Sequence, residues 1–216
     1  MNTELILPFP VGYELELAPS SKDALLVLHG FSDHGQAAKK RLLGWEPKTS
    51  HTILAPNGLF PVPVKKADGY RKAYAWYFRD PDTGLELVSP EFAADVIMRL
   101  IDRLGMLDLD WKILGFSQGG FLAPYLVRAG LNAKNIISVG AAYRPDAYAG
   151  LPAVKLSAIH GEADDIVSFA TAQSSFEKIK EMGYGKEFYP IPKLAHTLND
   201  EGRALLWKLV VETNEA

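Results

Sequence analysis

The sequence predicts an α/β domain with a mostly parallel central sheet and helices on both faces. Three observations lead there. Six short runs rich in Ile, Leu and Val recur along the 216 residues, most of them closed by Gly or Pro. The strongest of them are continuously apolar rather than alternating, the mark of strands covered on both sides. Stretches of helical period separate the later runs, and strand–helix alternation is the signature of parallel pairing with crossover helices.

The elements follow in order. The stretch ELILPFPVGYELEL (residues 4–17) reads as two antiparallel edge strands around a turn at Pro10 to Gly12. ALLVLHG (24–30), HTILAP (51–56), KILGF (112–116), NIISVGAA (135–142), VKLSAIHG (154–161) and KEFYPIP (186–192) supply the parallel strands. Residues 89–105 form a helix with Ser89 as N-cap, Pro90 in the first turn, and Phe92, Val96, Leu100 and Leu104 on one apolar face. Helices are also predicted over 118–130, with Pro124 in the second turn, over 169–183 and over 199–212. The short cluster Ala38-Lys39-Lys40-Arg41 reads as a solvated helix face. Residues 57–88 break the rhythm. They are rich in aromatics, and a connection this long in one domain carries function or structure of its own. It is read both as a cap packed by its aromatics and as a substrate wall.

Composition narrows the function. The chain suits a single domain spanning 1–216, with 48% apolar residues and a formal charge of −3. That charge argues against nucleic acid as the main partner, because phosphate binding wants a basic face. With no cysteine, a thiolate nucleophile, a disulfide framework and a Cys-ligated metal are excluded. No signal peptide and no membrane-length apolar run is expected, so the default is a cytoplasmic protein without stable membrane insertion.

The chemistry starts at GFSQG (115–119), a G-x-S-x-G pattern between a predicted strand and a predicted helix. A sharp strand-to-helix turn there would push the Ser117 hydroxyl out at the sheet's carboxyl edge, where α/β domains carry their sites. An alcohol needs a base to act as a nucleophile near neutral pH. Of the five histidines, His29, His34 and His51 precede Ser117, and His160 reads as a strand-end histidine. The order Ser, acid, His leaves His196 as the base. The acid falls in HGEADDIV (160–167), with Asp164 and Asp165 as the pair and Glu162 as competitor. Two backbone N–H groups are expected to bind an oxyanion: that of Gln118, at the helix start, and that of Phe31, in LHGFSDHG (28–35) after the first long strand.

These segments resemble the α/β-hydrolase superfamily and, more narrowly, the phospholipase/carboxylesterase family that includes the acyl-protein thioesterases. LHGFSDHG is similar to its H-G-x-G-D-x-G loop, LAPNG to its A-P turn, AYAWYF to its aromatic segment, GFSQGG to its elbow and HGEADDIV to its acid loop. The resemblance spans about residues 22–200. It implies an α/β-hydrolase fold with Ser117 as nucleophile, Asp164 as the triad acid, His196 as base, and the N–H groups of Phe31 and Gln118 as oxyanion donors. The chain departs from the pattern in carrying Ser32 for the second loop glycine, Asp165 where proline is common, and Leu194-Ala195 before the histidine.

The expected function is a serine hydrolase of carboxylic ester or thioester bonds working through an acyl-enzyme. A hydrolase-like ligand-binding or receptor domain with little turnover is the alternative. The acyl pocket is expected among Trp76, Tyr77, Phe78, Phe31 and the 141–148 loop, including Tyr143. No cofactor and no metal is implied; the partner is a small ester or thioester, and the chain is expected as a monomer or homodimer.

Overall fold

The computed structural model describes residues 10–212 apart from 46, 48 and 81. In chain order the elements are β1 (Tyr13–Glu16), β2 (Asp23–Leu28), α1 (Gly35–Leu43), β3 (Thr52–Pro56), β4 (Phe60–Lys66), β5 (Gly69–Ala75), β6 (Phe78–Arg79) and β7 (Glu86–Val88). They continue with α2 (Pro90–Arg103), β8 (Asp110–Phe116), α3 (Gln118–Arg128), β9 (Ala133–Val139), α4 (Pro145–Tyr148), β10 (Lys155–Gly161), α5 (Phe169–Glu181), β11 (Gly185–Ile191) and α6 (Asp200–Val211).

Seven strands form the main sheet in the order β1-β3-β2-β8-β9-β10-β11. Only β1 runs antiparallel, against β3; the other pairs are parallel. The predicted fold class therefore holds, and each of the six apolar runs is a strand of this sheet. Of the two N-terminal edge strands, β1 is present; the other, before Pro10, lies outside the described residues.

Strand periodicity divides the core in two. Leu26, Leu28, Leu54, Ile113, Ile136, Leu156 and Ala158 pack with α2, α3 and α5 on one face. Their neighbours Leu25, Val27, Ile53, Ala55, Leu114, Ile137 and Ile159 pack with α1 and α6 on the other. Successive side chains of a strand point to opposite faces, so a continuous apolar run is what a sheet covered on both sides requires. Ser89 caps α2 by accepting from the Glu91 N–H, as expected. The buried face of α2 differs from the predicted one. Ala93, Ala94, Ile97 and Ile101 point inward, while Phe92 is exposed and Val96, Leu100 and Leu104 lie on the flank. Small alanines let the helix approach the sheet closely, a preference that bulk hydrophobicity alone does not reveal. Burying Ile97 and Ile101 contributes about 1.5–3 kcal/mol each.

Residues 57–88 hold structure of their own. β4 and β5 form a hairpin with Phe60 opposite Ala75 and Lys66 opposite Gly69, and β6 pairs with β7 in a short ribbon. The Ala38–Arg41 cluster lies in α1, but it is not simply solvated. Ala38 is buried, and Arg41 pairs with Asp33 and lies 4.6 Å over the Phe116 ring. No described helix is long and apolar enough to cross a membrane.

Candidate active site

Strand order places the site. The chain leaves β2 toward β3 on one side and leaves β8 toward β9 on the other. Connections that diverge from two adjacent parallel strands open a crevice at their carboxyl ends. The turn after β2 carries Phe31, and the turn after β8 carries Ser117. The two turns touch: a Cβ at Gly30 would sit 3.3 Å from the Ser117 Cβ.

Ser117 occupies the predicted elbow between β8 and α3, with φ 50° and ψ −115°. A non-glycine residue there is strained by roughly 1–3 kcal/mol and persists only where its surroundings hold it. The surroundings do so. The Ser117 N–H donates to Val139 O at 2.8 Å, and Ser117 O accepts from the N–H groups of Gly120 and Phe121. A Cβ on Gly115 would lie 2.5 Å from the Gly120 Cα, and one on Gly119 would collide with the Leu28 backbone. The serine is half-buried and its side chain makes no capping bond to the helix. Gln118 opens α3, where backbone N–H groups lack an intrahelical acceptor and the helix dipole favours negative charge.

Asp164 and His196 meet beyond β10 and β11. His196 Nδ1 donates to Asp164 Oδ2 at 2.7 Å, while Asp164 Oδ1 accepts from the N–H groups of Val167 at 2.9 Å and Ile166 at 3.0 Å. Asp164 is 7% exposed, whereas Asp165 and Glu162 are exposed and make no bond to His196 among the described contacts. The acid and histidine loops are bound together by Ala163 N–H to Leu194 O at 3.0 Å and Glu162 N–H to Ile191 O at 3.0 Å. Burial pushes the Asp164 carboxyl up, but the hydrogen bonds from His196, Val167 and Ile166 outweigh it and hold the group below the usual carboxylate range. The His196 imidazole rests on the Phe116 ring at 5.0 Å between centroids, one residue before Ser117, and its side chain remains 16% exposed.

Two neighbours were not foreseen in their full roles. His160 is buried and does end its strand, donating from Nε2 to Val167 O at 2.8 Å; the same nitrogen lies 3.4 Å from Asp164 Oδ2. The H-G-x-x-D spacing carries that proximity, since a strand end and the turn after it fold back within four residues. The Gln118 side chain reaches across to the 57–88 segment, accepting from Trp76 N–H at 3.0 Å and donating to Tyr77 O at 2.9 Å. No local pattern announces a bond between residues 42 apart in the chain.

The expected pocket wall is reassigned in part. Trp76 is fully buried, stacks 4.5 Å from the His29 ring and donates from Nε1 to His29 O at 2.8 Å. Tyr143 is 5% exposed and packs edge-on against Phe176. Tyr77 is buried against Phe121. These three side chains are buried and present almost no surface to solvent. Phe78 remains half-buried, with edge contact to Phe31, which is 54% exposed, and a tilted contact to Phe60. Arg144 pairs with Glu86 of β7, joining the 57–88 segment to the 141–148 loop.

His29 has a measurable consequence for stability. Burial, its main influence, pushes its pKa down to about 4 from an ordinary 6.5. The unfolded chain therefore takes up a proton before the folded one. Stability conferred by the neutral ring is complete above pH 6.5 and falls as the pH drops toward 4, by about 3 kcal/mol at most. Urea unfolding between pH 7 and 4 should show this slope, and His29→Gln should flatten it; an unchanged slope in the variant would exclude His29 as its source. Among the described residues no cluster of three or more His, Asp or Glu side chains is arranged to hold a metal.

The sequence model of the FSH1 serine hydrolase family matches residues 19–189. Among solved structures, the acyl-protein thioesterase 2 of Zea mays aligns at 19% identity and TM-score 0.68, over 92% of this chain and 97% of that one. A carboxylesterase from Mesorhizobium loti aligns at 19% identity and TM-score 0.69, over 99% and 100% of the two chains. SOBER1 of Arabidopsis thaliana aligns at 20% identity and TM-score 0.66, over 87% and 97%. At such identities these likenesses speak for a shared fold. The family match covers most of the sequence and includes the elbow and the acid loop, so the chain belongs to the FSH1 serine hydrolase family.

Proposed function

We propose that this protein hydrolyses carboxylic esters or thioesters through an acyl-enzyme on Ser117. The observation that carries the reading is the Asp164–His196 hydrogen bond of 2.7 Å, made by a buried carboxyl to a histidine that packs on Phe116 beside the strained serine. With Nδ1–H committed to Asp164, Nε2 of His196 is left as the basic nitrogen. In the reaction Nε2 takes the Ser117 proton as Oγ attacks the acyl carbon. The N–H groups of Phe31 and Gln118 receive the oxyanion. His196 then protonates the departing alcohol or thiol, and water, deprotonated by the same nitrogen, releases the carboxylate and restores Ser117. Asp164 fixes the tautomer and stabilises the imidazolium. The exposed face of Phe31, with Phe78 and Phe60 behind it, offers an apolar surface for the acyl chain.

The test is turnover of p-nitrophenyl esters of increasing chain length alongside an acyl thioester. Sustained turnover over many equivalents of enzyme is the expected result. A burst of one equivalent followed by a stall would instead favour a ligand-binding or receptor domain that keeps the site without the activity.

A further inference from the structure

The two proposed oxyanion donors sit on different turns, and their separation decides how well they fit a tetrahedral oxygen. Pairing of β2 with β8 fixes that spacing only as far as Leu28 opposite Gly115. Beyond the strands, the end of β5 and the residues just after it touch both turns. Tyr74 exchanges bonds with the first: Ser32 N–H to Tyr74 O at 2.9 Å and Tyr74 N–H to Asp33 O at 2.8 Å. Trp76 then donates from its indole to His29 O at 2.8 Å and lies flat on the His29 ring. That ring is itself fixed, with Nε2 accepting from Gly58 N–H at 2.7 Å and Nδ1 bonded to Gly30 O at 2.6 Å. On the other side, the Gln118 amide holds the backbone of the Trp76-Tyr77 pair at both ends, accepting from the Trp76 N–H and donating to the Tyr77 carbonyl.

We infer that Trp76 and the Gln118 side chain form a brace that sets the distance between the Phe31 and Gln118 N–H groups. Both are positioning residues; neither side chain touches the reacting atoms. The inference rests on the proposed acyl-enzyme reading. It follows from a path of three contacts: the Gly30 carbonyl beside Phe31 to the His29 ring, the His29 ring to the Trp76 ring, and the Trp76 backbone to the side-chain amide of Gln118, whose own N–H is the second donor. Each link is a buried or half-buried hydrogen bond or ring stack, and such bonds hold donors to within the fraction of an ångström that oxyanion binding needs. Ser32 adds to the case. It stands at φ 62° in the left-handed region, so the first turn needs an external hold, and the hairpin supplies one.

The decisive variants are Gln118→Met, which keeps length without hydrogen bonds, and Trp76→Phe, which keeps a ring over His29 without the indole N–H. Each should lower kcat about 10- to 100-fold with KM within twofold, a part of the loss seen when one donor is removed outright. Affinity for an alkyl trifluoromethyl ketone, which forms a tetrahedral adduct with the serine, should fall by the same factor as kcat/KM. Binding of the product carboxylate should not change. A merely structural clip would lower the melting temperature and raise KM while leaving kcat and the ketone affinity in their wild-type ratio. If Gln118→Met fails to fold, Trp76→Phe decides alone, since it keeps an aromatic ring over His29 and loses the indole N–H with only part of the ring volume. Wild-type turnover that depends on Ser117, combined with unchanged kcat in both variants, overturns the brace and leaves the proposed function standing. Turnover that persists in Ser117→Ala overturns that function, and the brace falls with it.

Discussion

Ser117→Ala will lower kcat toward p-nitrophenyl esters by about 10⁴- to 10⁶-fold, the scale on which a serine hydrolase loses its nucleophile. The size of the effect comes from the mechanism. Without Oγ no acyl-enzyme forms, and only the oxyanion donors and substrate binding remain to favour attack by water. The variant should fold as the parent does. The Ser117 side chain caps nothing in α3, and its backbone is held by bonds to Val139, Gly120 and Phe121 that alanine retains. Alanine occupies the same left-handed conformation, so the local strain is unchanged. A thermal midpoint within a few degrees of wild type, together with the loss of turnover, is the expected pair of readings. Wild-type activity in this protein would remove Ser117 from the reaction altogether.

Asp164→Asn should cost about 10⁴-fold in kcat, and Asp165→Asn less than twofold. The order of magnitude is that of an acid whose task is to fix the histidine tautomer. The structure shows why the amide fails here. Asp164 Oδ1 accepts two backbone N–H groups, from Ile166 and Val167. An asparagine must keep its carbonyl oxygen at that position, which turns its NH₂ toward His196 Nδ1 and toward the His160 Nε2–H. His196 then carries its proton on Nε2 and cannot accept one from Ser117. Asp165 faces solvent and has no part in this arrangement. Steady-state kinetics of both variants settles the assignment; a larger loss in Asp165→Asn would reverse it. A second readout is stability in acid. Because the native Asp164 carboxyl is held below its ordinary range, its contribution to folding is present above about pH 4 and disappears as the pH falls through the native value. The asparagine variant should therefore lose less stability than wild type on acidification.

Much of this site was legible in the chain. Continuous apolar runs named the strands because a sheet covered on both faces leaves no position for alternation. The glycines flanking Ser117 at 115 and 119 marked an elbow because β8, α3 and β2 approach too closely there for a side chain. The order of Ser117, the 160–167 loop and His196 assigned the partners. The residues alone left Asp164 and Asp165 open; the tertiary structure shows which one meets the histidine, because adjacent side chains in a turn point in different directions and only Asp164 turns inward.

Other features exist only in the folded chain. The aromatics of 57–88 read alike in sequence, yet Trp76 is a buried strut on His29 while Phe78 is half-buried and meets the exposed Phe31 of the turn after β2. The sequence singles out only the backbone N–H of Gln118, whereas its side-chain amide accepts from the N–H of Trp76, 42 residues away. Sequence by itself determined the strands, the elbow and the chain order of the reactive groups, since those depend on local dihedrals and on periodicity. Tertiary structure decided which acid meets His196, which aromatics remain exposed and what spans the turns that carry Phe31 and Ser117, because long-range packing chooses among side chains that local chemistry leaves equivalent.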